Sequence, residues 1–130
     1  MSTVAGTPDG PPRAFVSGPL AGRVRVAGDP GFGRLALMLG ALALGESTVD
    51  GLPESAEIRA TIGALRAFGA TLSSERPGHW RVRGVGVGGF LEPEAAIAAS
   101  AAGALPLLLG LLASQGLAAT FVADDAGPFG

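Results

Sequence analysis

Few side chains in this sequence could do chemistry, and they are scattered. His79 is the sole histidine and stands beside the sole tryptophan, Trp80. A histidine there could act as a general base, with the indole as a platform; a surface histidine beside a core-edge tryptophan is the plainer reading. Asp29 follows Gly28 at the end of an alternating segment, just before an apolar run. Open α/β folds set their sites at such a point, and a helix equally takes an acidic N-cap there. Glu57 opens a second helical pattern, Glu92 and Glu94 flank Pro93, and Asp124 adjoins Asp125. The paired acids read as acid–base candidates or as solvated loop charges. Arg23, Arg25, Arg81 and Arg83 alternate along two strand-like segments. On neighbouring strands they would make a stripe, either a solvated face or a carboxylate-binding surface. Gly84 to Gly89 satisfies G-x-G-x-x-G, but Phe90–Pro93 follows instead of a helix, so a tight turn is preferred to a dinucleotide site.

Composition excludes much else. The chain has 130 residues, 24 of them Ala and 22 Gly, and a formal net charge of −2. One domain is expected, with enough chain for a true core. All nine cations are Arg, and Lys and Cys are absent. Lysine Schiff bases, phosphate-binding P-loops, disulfides and cysteine zinc sites are therefore excluded. A single histidine excludes two-histidine metal motifs, so no metal and no cofactor is expected. A faintly acidic chain is also a poor nucleic-acid ligand.

The elements that must position these residues follow from periodicity. Residues 1–18 are Pro/Gly-rich and read as a flexible arm, without the pattern of a signal peptide. Leu20–Ala27 alternates as a half-buried strand, with Val24 and Val26 on one side. A turn over Gly28–Gly33 leads into a buried helix over Arg34–Leu44, too short to span a bilayer. A strand is expected over Ser47–Leu52. Ser55 can cap an amphipathic helix over Ala56–Phe68, ended by Gly69. Ala70–Ser74 and Trp80–Val85 form a hairpin that turns near Pro77-Gly78. A loop, an Ala/Leu-rich helix from about Ala98 to Ser114 interrupted by Pro106, and a strand over Leu117–Ala123 complete the domain, and residues 126–130 form a frayed tail. The result is a mixed α/β (α+β) fold in the order β-α-β-α-β-β followed by α-β.

Several blocks then appear in a familiar order: Gly28-Asp29, Ala36–Ala43, Gly45–Leu52, Gly69-Ala70, Gly84–Pro93, Gly110–Ala113, and Phe121 with Asp124. Over residues 19–125 the chain resembles the N-terminal quarter of the EPSP synthase family of enolpyruvyl transferases. The resemblance implies a β-α-β-α-β-β unit. In that family such units are grouped in threes about a pseudo-threefold axis in each of two domains, with substrates bound between them.

The family's anion-binding motifs do not survive in this sequence. Its Gly-Asp-Lys-Ser-x-Ser-x-Arg reads Gly28-Asp29-Pro30-Gly31-Phe32-Gly33-Arg34-Leu35. Pro30 stands for the lysine, Gly31 and Gly33 for the serines, and Leu35 for the arginine. Arg34 is one residue early, about 100° round a helix. Its Asp-x-Gly-Asn-(Ser/Ala)-Gly-Thr-x-x-Arg falls over residues 97–106, with Ser100 at or beside the Asn position and Pro106 at the Arg position. Asp124 alone survives from the third motif. Phosphates and carboxylates need cations and hydroxyl or backbone donors. Enolpyruvyl transfer is therefore expected to be absent.

Two functions fit this state. In one, the old anion site has become an apolar pocket lined by Phe32, Leu35, Ala98, Ala101 and Leu105. The protein is then a cyclase, isomerase or dehydratase for an apolar small molecule, in a specialised-metabolite pathway of a bacterium. Asp29, Glu57, His79 and Asp124 are its candidate acids and bases, and Ser100 and Arg34 its polar ligand contacts. In the other, the protein is a non-catalytic pseudoenzyme or regulatory partner. Either way the apolar helices need cover, so a cytoplasmic homo-oligomer is expected, with no role for membrane or nucleic acid.

Overall fold

A computed structural model describes residues 21–24, 26–98 and 104–122. Helix α1 runs Pro30–Leu42, strand β1 Leu44–Asp50, helix α2 Ala56–Ala67, strands β2 Thr71–Arg76 and β3 His79–Val85, short strand β4 Ile97–Ala98, helix α3 Ala104–Leu112 and short strand β5 Phe121–Val122. The mixed α/β class is as expected.

α1 starts four residues before its apolar run. Proline is favoured at the first helical position, where its missing N–H costs nothing. The Asp29 side chain caps the end, accepting from Phe32 N at 2.8 Å. α2 has the same device, with the Ser55 hydroxyl accepting from Ile58 N at 3.3 Å. At its other end Gly69 takes a φ of 96°, the left-handed conformation that closes many helices. Pro106 falls inside the first turn of α3, where no intrahelical donor is needed, so it opens the helix instead of breaking it.

β1, β3 and β2 form an antiparallel sheet in that order, with Glu46 opposite Arg83, Thr48 opposite Arg81 and Asp50 opposite His79. Pro77 and Gly78 make the hairpin turn between β2 and β3, with Gly78 at a φ of 75°. Alternation puts Val82, Leu72 and Trp80 on one face and Glu46, Arg81 and Arg83 on the other. α1 and α2 lie side by side on the first face. The core there contains Leu37, Met38, Ala41, Ile58, Ile62, Leu65, Leu72 and Val82, all buried. Each large aliphatic side chain so buried stabilises by roughly 1.5–3 kcal/mol before entropy is counted. α1 approaches β3 so closely that a Cβ on Gly84 would fall on the carbonyl oxygens of Gly40 and Ala43. Phe68 is fully buried and joins this core to the rest of the chain, 5.7 Å from Phe90 and 6.5 Å from Phe121 between ring centroids.

Two expectations are corrected here. Residues 21–24 and 26–27 form no strand, and Val24 and Val26 are exposed. Alternation supplies a strand's face but not a hydrogen-bonding neighbour, and among the described residues neither edge of the sheet pairs with this segment. Ala98, expected to begin a helix, instead lies in a short strand with Ile97 that pairs in parallel with Phe121–Val122 across the α3 connection. Long-range pairing overrides a local Ala-rich preference there. Among the described residues no helix is long and apolar enough to cross a membrane.

Candidate functional site

Four of the sequence-predicted residues gather at one end of the sheet. α1 and α2 run parallel, so both N-termini lie where β1 leaves the sheet and the β2–β3 turn returns. Gly28 lies against the Gly51 carbonyl, and Leu52 N donates to Gly78 O at 3.0 Å. Asp29, Arg34, Glu57 and His79 therefore come from distant parts of the chain to the same edge.

They do not share a face. Asp29 is spent on the cap of α1, the plainer of its two readings. Glu57 sits in the first turn of α2. The Ser55 hydroxyl, its own backbone N–H and the nearby Arg34 charge hold its carboxyl below the ordinary range. Arg34 is three and four residues before the buried Leu37 and Met38, so it turns inward toward α2. Its Nε and NH1 are shielded from solvent and have no hydrogen-bond partner among the described residues. Leu35, next in sequence, points out and is 45% exposed.

His79 belongs to the opposite, solvent face of the sheet. Its side chain is only 13% exposed. Nδ1 contacts the Asp50 carboxylate, and Nε2 lies 3.6 Å from Glu75. The hydrogen bond to His79 is the main cause that holds the Asp50 carboxyl below its usual value, with His79 and Arg76 charges adding to it. The network continues along the sheet: Arg81 meets Glu75 at 2.7 Å and Glu46 at 3.2 Å, and Arg83 lies 3.8 Å from Glu46. Arg81 and Arg83 are thus paired with acids instead of forming a bare cationic stripe. Arg23 lies outside any element and Arg25 outside the described residues. This face is a charge ladder between alternating strand residues, each exposed pair worth little by itself.

The apolar candidates are also separated. Phe32 is 77% exposed on the outer side of α1, with Leu35 and Leu39 behind it at helical spacing. Leu105 is half-buried on α3, which packs against α2. Ser100, Ala101 and Asp124 lie outside the described residues.

Two cavities lie elsewhere, both against α2; of the expected pocket residues Ala98 lines the larger one, and none of Phe32, Leu35 or Leu105 lines either. One, of about 920 Å³, runs between the Ala60–Gly63–Ala67 side of α2 and residues 91–98. The other, of about 400 Å³, lies between α2 and Trp80, with Arg59 and Arg66 on its rim. The arginines were missed as site residues by sequence reasoning. Their spacing of seven, which puts both on one helix face, was the available signal.

The sequence profile of EPSP synthase (3-phosphoshikimate 1-carboxyvinyltransferase) matches residues 16–126. The 3-phosphoshikimate 1-carboxyvinyltransferase of Novosphingobium aromaticivorans is 46% identical over 87% of this chain, which corresponds to 26% of the relative. That of Paracoccus denitrificans is 44% identical over 88% of this chain and 26% of its own length. The solved EPSP synthase of Acinetobacter baumannii superposes with a TM-score of 0.75 at 28% identity, covering 81% of this chain and 24% of that one. The chain therefore spans about a quarter of the length of the relatives it matches. With fold, residue order and profile in agreement, the chain belongs to the EPSP synthase family.

Proposed function

We propose that this chain is a non-catalytic member of its family, one that lacks enolpyruvyl transfer and works through association with a second copy of itself. The observation that carries this reading is the outer face of α1. Phe32, Leu35 and Leu39 are exposed there at 77%, 45% and 58%, on the helix where the family's motif would set its anion ligands. The only charged side chain of that helix, Arg34, is turned toward α2. An uncharged, apolar face cannot hold a phosphate. It can meet its own copy without bringing like charges together, which suits an isologous dimer.

A repurposed cyclase, isomerase or dehydratase has less support. Asp29 and Glu57 are on the helical side of the sheet and His79 on the other. None of them lines either cavity, and two of the three are tied to internal partners whose geometry they complete.

Light-scattering mass across a concentration series tests the association. We expect a dimer that dissociates when Phe32 and Leu39 are both replaced by serine, with helix content unchanged. A monomer at every concentration overturns the self-association. Phosphate release on mixing the chain with phosphoenolpyruvate and shikimate 3-phosphate would overturn the non-catalytic reading separately.

A further inference from the structure

We propose that the cavity between α2 and Trp80 binds a small aromatic carboxylate. This inference stands apart from self-association, because its residues lie on α2 and β3 and not on the outer face of α1.

The cavity's volume, about 400 Å³, lies in the range of small-molecule sites. Its accessible wall is apolar and partly aromatic: Pro53 before α2 and the half-buried Trp80 from β3, over a floor closed by the buried Ile58 and Ile62. Its rim is charged. Arg59 and Arg66 stand seven residues apart on α2, about 10 Å along the axis and on the same face. Gly63 between them leaves open space where a side chain would stand. Among the described residues Glu54 is the one acid on the lining, so two arginines and one glutamate leave the site at +1. That charge matches a monoanion.

The two arginines differ in freedom. Arg66 NH2 donates to Leu72 O at 2.6 Å, and its guanidinium lies 5.8 Å from the Trp80 ring centre. This fixes the group beside the ring and leaves its other N–H donors for a ligand. Arg59 is exposed, and among the described residues its guanidinium has no ion-pair or hydrogen-bond partner. A guanidinium with donors to spare beside a flat apolar wall selects a carboxylate on a planar ring. The carboxylate takes charge-assisted hydrogen bonds while the ring covers Pro53 and the indole edge. A phosphate would meet the guanidinium groups but leave this wall bare.

Trp80 is the only tryptophan, so its fluorescence reports the site directly. The probe is 4-tert-butylbenzoate, with benzyl alcohol as the uncharged control. We expect a saturable change in emission with the carboxylate and none with the alcohol. Arg59→Gln should weaken binding about fivefold, the effect of one partly exposed charge-assisted hydrogen bond. Glu54→Gln should tighten it, because it removes a repulsive charge without touching the wall. Amide NMR shifts on titration should centre on Ile58, Ile62 and Trp80. The proposal is overturned by the absence of saturation, by equal binding of the alcohol, by unchanged affinity in both variants, or by shifts that map to Phe32 and Leu39.

Discussion

α1 and α2 lie parallel on the same sheet face, begin at the same edge and are capped by the same kind of hydrogen bond, yet their outer faces are opposites. α2 buries Ile58, Ile62 and Leu65 and turns Arg59, Gly63 and Arg66 to solvent. It is amphipathic: α3 and β4 pack along one side of it, and its arginines finish the side that meets solvent. α1 buries Leu37, Met38 and Ala41 and still presents Phe32, Leu35 and Leu39 outward. The pair shows that one sheet can hold a helix whose surface is finished and another whose surface calls for a further layer. Function is accordingly read from the outer faces, since the inner faces do the same work.

The most forceful way to test that contrast is to shorten one leucine on each side of α1. Leu37→Ala should cost about 3 kcal/mol, because the side chain is fully buried and leaves a cavity. Leu35→Ala should change unfolding free energy by less than about 0.5 kcal/mol in dilute solution, where its outer position is wet. Urea unfolding of the two variants gives the answer. Equal losses would mean that the outer face of α1 is already covered within one chain.

Smaller effects come from the caps, where the helices should behave alike. Asp29→Ala and Ser55→Ala should each cost about 1 kcal/mol in the same urea measurement. A loss of ligand binding without loss of stability would restore Asp29 as a site residue.

The smallest effect expected is a pH dependence on the sheet's solvent face. The Asp50 carboxyl is held below its usual value of 3.8, chiefly by the hydrogen bond from His79. A carboxyl whose folded pKa is depressed adds stability above its unfolded pKa and loses it as pH falls through the folded value. Asp50→Asn should therefore flatten the acid limb of the stability curve between about pH 5 and pH 3, measured by urea midpoints. A curve unchanged by the substitution would show that the ladder is electrostatically idle.

Much of this fold was legible because it is local. Ile58, Ile62 and Leu65 mark α2 by their spacing, Ser55 and Gly69 mark its ends, and Pro77-Gly78 marks the hairpin. The failures share a cause. The alternation at Val24 and Val26 is a strand's pattern without a neighbour to pair with. The pairing of Ile97–Ala98 with Phe121–Val122 is a contact across a whole helix, which no short window contains. The candidate site failed in a similar way. Residue types named Asp29, Glu57 and His79, but side-chain direction separated them. Asp29 turned to its own helix, and His79 to the far side of the sheet.

By itself, then, the sequence determined family, helix and hairpin positions, and the absence of lysine, cysteine and most of the family's anion-binding residues, because these are properties of residue identity and short-range spacing. The tertiary structure alone decided that Arg34 turns inward while Leu35 faces out. It also decided that Arg81 and Arg83 are neutralised by Glu46 and Glu75, and that Arg59, Arg66 and Trp80 share one cavity. Each of those outcomes depends on which elements pack together and at what register, and charge and apolar surface acquire a meaning only from the neighbours that packing supplies.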